Sequence, residues 1–229
     1  MLNYDGKKVE ENIGYTFTNQ EMLKQALSHS SFINEMKRKG MESYERLEFL
    51  GDAVLELITS EFLFENYKDL PEGKLTKLRA SIVCEFTLSS VSKQLKLGEY
   101  VLLSKGEELT GGRNRNSILC DLFESVLGAI YLDGGMEPAR SYVRQFLLTD
   151  IEHKTLFYDA KTTLQEMMQK DGKGLVTYEL LKEQGPDHDK HFITQVLVDG
   201  VSLAQGEGSS KKNAEQMAAY HALLKLRSR

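Results

Sequence analysis

The sequence has little of what would announce a specialised class. Only three prolines occur in 229 residues, too few for proline-rich linkers or long disorder. Its two cysteines, Cys84 and Cys120, each sit in an apolar run. Neither has CxxC spacing or a nearby histidine, which argues against a zinc site, and both are expected to be reduced core thiols. No stretch reaches the roughly 18 apolar residues that a membrane span requires, and Met1 to Thr18 carries no apolar leader core. A cytoplasmic, untargeted protein is expected. Charge of one sign is also missing: the formal net charge is −5, and over residues 158–229 ten Lys and Arg stand against ten Asp and Glu. Bulk charge therefore says nothing about nucleic acid, and any phosphate-binding surface has to be a local cluster.

What is present is an ordinary composition for a helix-rich globular protein, 41% hydrophobic and 28% charged, in a chain long enough for two modest domains. From about Asn19 to Leu148 apolar residues recur at helical spacing. Breaks fall at Gly40, Pro71-Glu72-Gly73, Gly98, Gly111-Gly112 and Gly134-Gly135, which predicts a bundle of six or seven helices. The strongest helix is expected over about Ser43 to Tyr67, with Leu47, Leu50, Val54, Leu57 and Ile58 on one stripe and Glu45, Glu48 and Asp52 on another face. A second is expected over about Ser117 to Leu132.

After Asp150 the texture changes. A short segment, Ile151 to Tyr158, leads to Asp159, a candidate N-cap for a helix through Lys170. Strand-like alternation follows over Leu175 to Glu183, His191 to Asp199 and Val201 to Gln205, with an Asp199-Gly200 hairpin signal between the last two. Ser209-Ser210 then caps a helix, Lys211 to Leu226, whose buried face carries Ala214, Met217, Ala218, Ala222 and Leu223. The fold class is α+β: an all-α domain over residues 1–150, then an α-β-β-β-α domain over residues 158–229.

Chemistry concentrates in the two strong helices. Glu48 and Asp52 are four residues apart and share a face, about 6 Å apart along the axis, with Glu45 one turn earlier. Asp121 and Glu124 are three apart on the other helix, and Gly128 continues their face without a side chain, so a facing helix could approach closely there. Oxygen donors without histidine or thiolate suit a hard cation such as Mg²⁺, with Mn²⁺ as a substitute. The matching reaction is two-metal hydrolysis of a phosphodiester, the ions held roughly 3.5–4 Å apart. A protein nucleophile has no support, because His29 and His153 are isolated and neither cysteine has an evident base. Acidic pairs at this spacing are common on solvated helix faces. These two differ in lying within apolar helices with no Lys or Arg at i+4 to neutralise them.

The run Glu45-Arg46-Leu47-Glu48-Phe49-Leu50-Gly51-Asp52-Ala53-Val54-Leu55 resembles the signature helix of ribonuclease III. Ser117 to Ala129 resembles that family's other acidic helix, with Cys120 and Ser125 where alanine is commoner. The resemblance implies a ribonuclease III catalytic domain in residues 1–150 with Glu48, Asp52, Asp121 and Glu124 as metal-binding and catalytic carboxylates. It also implies Glu45 as an acid at the edge of the RNA cleft, Glu72 as an accessory acid, and Phe49 as a side chain entering a pocket of a homodimeric partner. Residues 158–229 resemble the double-stranded-RNA-binding domain that follows the nuclease. Gln165 and Glu166 are implied to reach 2′-hydroxyls, His188 to enter a further minor groove, and Ser210, Lys211 and Lys212 to hold phosphate at a helix N-terminus. Glu215 stands where many such domains have a third cation. Arg113 and Arg115 are candidate phosphate contacts from the nuclease side.

The implied function is divalent-metal-dependent cleavage of double-stranded RNA to 5′-phosphate products with two-nucleotide 3′ overhangs, in processing of precursor rRNA and other structured RNAs. No membrane partner or small-molecule cofactor is implied. Two alternatives stay open at this point: a silent member that binds RNA without cutting, and an all-helical nucleotide pyrophosphohydrolase, whose second acidic pair would read E-x-x-D and not the D-x-x-E found here.

Overall fold

Apolar residues at helical spacing become α-helices, ten among the described residues, in the first of two units, Met1–Ile151 and Glu152–Arg229. The computed structural model describes residues 5–36, 42–170, 174–185 and 190–227. In chain order the helices are α1 (Gly6–Ile13), α2 (Gln20–Ala26), α3 (Ser30–Met36), α4 (Glu45–Asn66), α5 (Glu72–Ile82), α6 (Glu85–Gln94), α7 (Leu97–Tyr100), α8 (Lys105–Leu109), a 3₁₀ turn (Gly112–Asn114), α9 (Asn116–Gly134) and α10 (Met136–Phe146). Nine of these, α2 to α10, fall within about Asn19 to Leu148, where six or seven were expected, and short helices make up the excess. The glycine break expected at Gly98 lies inside α7, while that at Gly40 lies outside the described residues. The break expected at Pro71 separates α4 from α5, which Pro71 opens as its N-cap, where a missing N–H is harmless.

The two strong helices fall where the periodicity puts them. Glu45 and Glu48 occupy the first turn of α4, where negative charge suits the helix dipole, and α9 ends at Gly135 with φ 84°, a conformation that favours glycine. Leu47, Val54, Leu55 and Ile58 of α4 join Leu119, Leu122, Phe123, Val126 and Ile130 of α9 in one buried core. Each such side chain contributes about 1.5–3 kcal/mol on burial. Leu57, expected on the same stripe, is instead 57% exposed.

Where α4 and α9 cross, main chain meets main chain. A Cβ on Gly51 would sit 1.8 Å from the Glu124 carbonyl oxygen, and one on Gly128 would sit 2.2 Å from the Leu47 carbonyl oxygen. The contact is therefore glycine against backbone from both sides, with Gly51 between Glu48 and Asp52 and Gly128 one turn beyond Glu124. Ser125, buried on α9, donates through Oγ to the Ala26 carbonyl at 2.8 Å and so fastens α9 to the end of α2.

The second unit contains α11 (Ile151–Tyr158), α12 (Ala160–Lys170), strands β1 (Val176–Gln184), β2 (His191–Val198) and β3 (Val201–Gly208), and α13 (Lys211–Arg227). The α-β-β-β-α order is as expected, but Ile151 to Tyr158 is itself a helix. Its eight residues show no apolar stripe that periodicity could detect. The sheet is antiparallel in the order β1-β2-β3. Asp199 and Gly200 both have positive φ, 50° and 77°, as a two-residue primed hairpin turn requires. Leu164, Met168, Val196, Ala218, Ala222 and Leu223 form the buried core, with Met217 only half-buried. Gly206 lets α13 lie on β3, since a Cβ there would come within 2.1 Å of the Ala218 nitrogen. Among the described residues no helix is long and apolar enough to cross a membrane.

Candidate active site

The crossing of α4 and α9 brings the two acidic pairs into one electrostatic cluster. Glu48, Asp121 and Glu124 are half-buried and Asp52 is exposed. Burial, reinforced by Asp121, Glu45 and Asp52, pushes the Glu48 carboxyl up to about 7. Burial, with Asp52, Asp121 and Glu48, pushes Glu124 up to about 8. Asp121 is also raised, mainly by burial. Among the described residues no Lys or Arg forms an ion pair with any of the four. Carboxyls held in this way repel one another and take up protons unless a cation neutralises them. The donor set thus fits a hard divalent ion. Among the described residues Cys120, Asp121 and Glu124 form a group whose candidate ligand atoms lie within 4.8 Å of one another, while Glu48 and Asp52 act on them from the other helix through their charge.

Cys120 is a free, half-buried thiol packed against the helical core, and Cys84 is a free thiol of similar exposure. Burial and the neighbouring acids raise the Cys120 thiol well above its ordinary range, so it stays protonated and leaves the hard cation to the carboxylates. Cys84 lies against Ser81 and Thr87, with its sulfur 3.4 Å from the Ser81 carbonyl oxygen.

Two residues of the site escape sequence reasoning. Tyr44, 2% exposed, donates through its hydroxyl to Asp121 Oδ2 at 3.0 Å. His29, expected to be isolated, packs its ring 5.6 Å from that of Tyr44 and is close enough for a charge on it to lower the Asp121 carboxyl. The Tyr44 bond joins residues 77 apart in the chain, and His29 meets Tyr44 outside any shared helix, so neither contact lies within reach of a local pattern.

Other candidates are placed differently. Glu45 is exposed, accepts from Ser43 Oγ at 3.0 Å, and adds its charge to Glu48. Glu72 is exposed in the first turn of α5, where it accepts from Thr76, and is not among the charges acting on the cluster. Arg113 is not a free phosphate contact. It pairs with Glu108 at 2.5 Å and donates to the Gly98, Glu99 and Val101 carbonyls, so its fork clamps the segment before α9. Arg115 is held by Glu107 and Thr110.

Phe49 is 80% exposed, so core packing does not explain it. With Ala53, Leu57 and Phe64 it forms an apolar stripe on the outer side of α4. Glu56, which would interrupt the stripe, is paired with Arg79 at 2.7 Å.

In the second unit Gln165 and Glu166 are exposed on α12. Ser210 accepts from the Asn213 N–H at 3.1 Å, capping α13. Lys211 and Lys212 are exposed, but Lys211 lies 3.6 Å from Glu183, which also holds Lys190 at 3.0 Å. Glu215 pairs with Lys161 at 2.5 Å. His188 lies outside the described residues.

Known proteins align with both units. Residues 19–151 match the Ribonuclease-III-like family and residues 160–226 the double-stranded RNA binding motif. Ribonuclease 3 of Bacillus cereus (strain G9842) is 48% identical over 223 residues, covering 96% of this chain and 91% of the relative. Ribonuclease 3 of Bacillus anthracis (strain CDC 684 / NRRL 3495) gives the same figures. Among solved structures, a nuclease domain of Campylobacter jejuni ribonuclease III, described for flexibility in a region involved in dimer formation, has a TM-score of 0.58 at 39% identity, covering 62% of this chain and 95% of its own. These matches leave no room for the pyrophosphohydrolase alternative, and the chain belongs to the ribonuclease III family of endoribonucleases that carry a double-stranded-RNA-binding domain.

Proposed function

We propose that Glu48, Asp52, Asp121 and Glu124 are the metal-binding and catalytic carboxylates with which this endoribonuclease hydrolyses double-stranded RNA, and that Mg²⁺ is its ordinary cation, replaceable by Mn²⁺. One observation carries this reading: four mutually repelling acids meet at a crossing of two apolar helices, and among the described residues no Lys or Arg is paired to them. A bound divalent cation supplies Lewis-acid activation of water and neutralises charge on the phosphate. The chain's own part is to hold the donors at fixed spacing. Glu124 and Glu48, with carboxyls near neutrality, can hold or release a proton at working pH. Glu45 sits at the cleft edge beside the RNA, and Glu72 supports from α5.

The nuclease function belongs to residues 1–150 and duplex binding to residues 158–229. In the latter, Gln165, Glu166 and His188 reach minor grooves, and Ser210, Lys211 and Lys212 at the N-terminus of α13 hold the phosphates between, reading A-form shape over about 16 base pairs. Arg115 is a secondary phosphate contact. The exposed stripe of Phe49, Ala53, Leu57 and Phe64 supports a symmetric homodimer with one site for each strand. A cytoplasmic role in processing precursor rRNA and other structured RNAs accords with its Ribonuclease 3 relatives.

The test is incubation of the full chain with a long RNA duplex, with and without Mg²⁺. Expected products carry 5′-phosphates and two-nucleotide 3′ overhangs, only when the ion is present. Retardation of the duplex in a gel without cleavage would instead identify a silent RNA-binding member.

A further inference from the structure

We propose that Tyr44 and His29 form a supporting layer behind Asp121 that fixes its carboxylate and thereby sets the affinity of the acidic cleft for its divalent cation. The inference rests on the reading of Asp121 as a metal ligand. It starts from a hydrogen bond that spans the fold: Tyr44, immediately before α4, points its hydroxyl at Asp121 Oδ2 on α9, 3.0 Å away. A carboxylate only accepts, so the phenol must donate. That commits one oxygen of Asp121 and leaves the other for a cation.

Tyr44 itself has no freedom to follow a moving partner. It is 2% exposed, and its backbone N–H donates to the Ser28 carbonyl at 2.9 Å. The His29 ring lies tilted against the Tyr44 ring at 59° and is anchored in turn. The Ser31 N–H donates to His29 Nδ1 at 3.1 Å, and the Ser31 hydroxyl lies 2.7 Å from the same nitrogen. With Nδ1 accepting, the neutral ring carries its proton on Nε2. The His29 backbone N–H donates to the Leu102 carbonyl, and the Leu102 N–H donates to the Leu27 carbonyl at 2.7 Å. The bond from Ser125 to Ala26 ties the same α2 terminus to α9, one turn beyond Asp121. The block holding Tyr44 is thus attached to the helix that carries the ligand. Outer partners of metal ligands act in this way, orienting the donor, and their loss typically weakens metal binding or activity by about 10–100-fold.

The experiment uses the full-length chain and Mn²⁺ as probe, with binding read by electron paramagnetic resonance of free Mn²⁺ in the absence of RNA. Tyr44→Phe removes one oxygen and keeps the ring. It should weaken Mn²⁺ binding about 10-fold, raise the Mn²⁺ concentration needed for cleavage by a similar factor, and leave KM for duplex RNA unchanged. Most of kcat should return at saturating Mn²⁺. In an Asp121→Asn background the same change should have no further effect on Mn²⁺ binding, which separates positioning from general loosening of the fold. Tyr44→Phe that folds and binds Mn²⁺ like the parent overturns the proposal. If Tyr44→Phe does not fold, His29→Gln is measured in its place; about 10-fold weaker Mn²⁺ binding, the lower end of the effect of an outer partner, supports the layer and parental affinity overturns it. A parent that neither binds Mn²⁺ nor cuts duplex would sink the metal-cleft reading itself, a different outcome from a competent parent indifferent to Tyr44.

Discussion

At the scale of single residues, the acids of the cleft set a pH dependence whose sign follows from their environment. Glu48 and Glu124 titrate near 7 and 8 in the folded chain against an ordinary value of 4.5. The folded state therefore binds more protons than the unfolded chain between those limits, and stability of the cation-free protein falls as pH rises. Calorimetry in the presence of a chelator should record a melting temperature that declines from about pH 5 to about pH 8, a decline that Mg²⁺ reverses. Glu124→Gln should shrink it, because the group that loses its proton is gone. The same variant should lower duplex cleavage by more than about 100-fold, past what outer partners of a ligand contribute, with duplex affinity nearly unchanged. A melting temperature that rises with pH, or rapid cleavage by Glu124→Gln, would contradict the assignment. The four acids were legible in the sequence because i,i+3 and i,i+4 spacing within one helix is a local property. Tyr44, His29 and the carbonyl-clamping role of Arg113 were not, because each depends on a partner brought in by tertiary folding.

At the scale of elements, the close approach of α4 and α9 is enforced by two glycines. Gly51→Ala would drive a methyl into the Glu124 carbonyl, 1.8 Å from its ideal position. The neighbour is backbone and cannot rotate away. Chemical denaturation should report a loss of at least about 1–3 kcal/mol, the range for overpacked cores, and cleavage should fall further than stability alone explains, since Asp52 and Glu124 flank the contact. An unaltered midpoint with unaltered activity would show that the helices do not touch there. Gly128 was readable as a gap on an acidic face, and the long helices were readable from their periods. The short helices α7 and α8, four and five residues long, have no period to read, which is why the six or seven helices expected over about Asn19 to Leu148 became nine among the described residues.

At the scale of the whole molecule, the order of elements in the second unit and the turn at Asp199-Gly200 were legible because turn chemistry and strand alternation are local signals. The expectation of a homodimer came only from resemblance, and in the sequence plain core packing stood as the other reading of Phe49. Its 80% exposure, with Leu57 at 57% and Phe64 at 76%, gives the stripe the composition of an interface centre. Phe49→Ala should raise the dimer dissociation constant by about 10-fold or more, the loss of a central aromatic anchor, measured by sedimentation equilibrium. A parent protein that is monomeric at micromolar concentration would remove the basis for that expectation.

The backbone-to-backbone crossing has a consequence for how this enzyme tolerates change. Where two helices rest on interleaved side chains, every core substitution resets their separation by a few tenths of an ångström, and anything mounted on them shifts too. Here the fulcrum is peptide against peptide, whose dimensions are the same in every sequence. Leucines and valines farther along the pair can drift in size while the distance across the cleft stays constant, so thermal adaptation through the core and fidelity of the chemistry are free to vary independently.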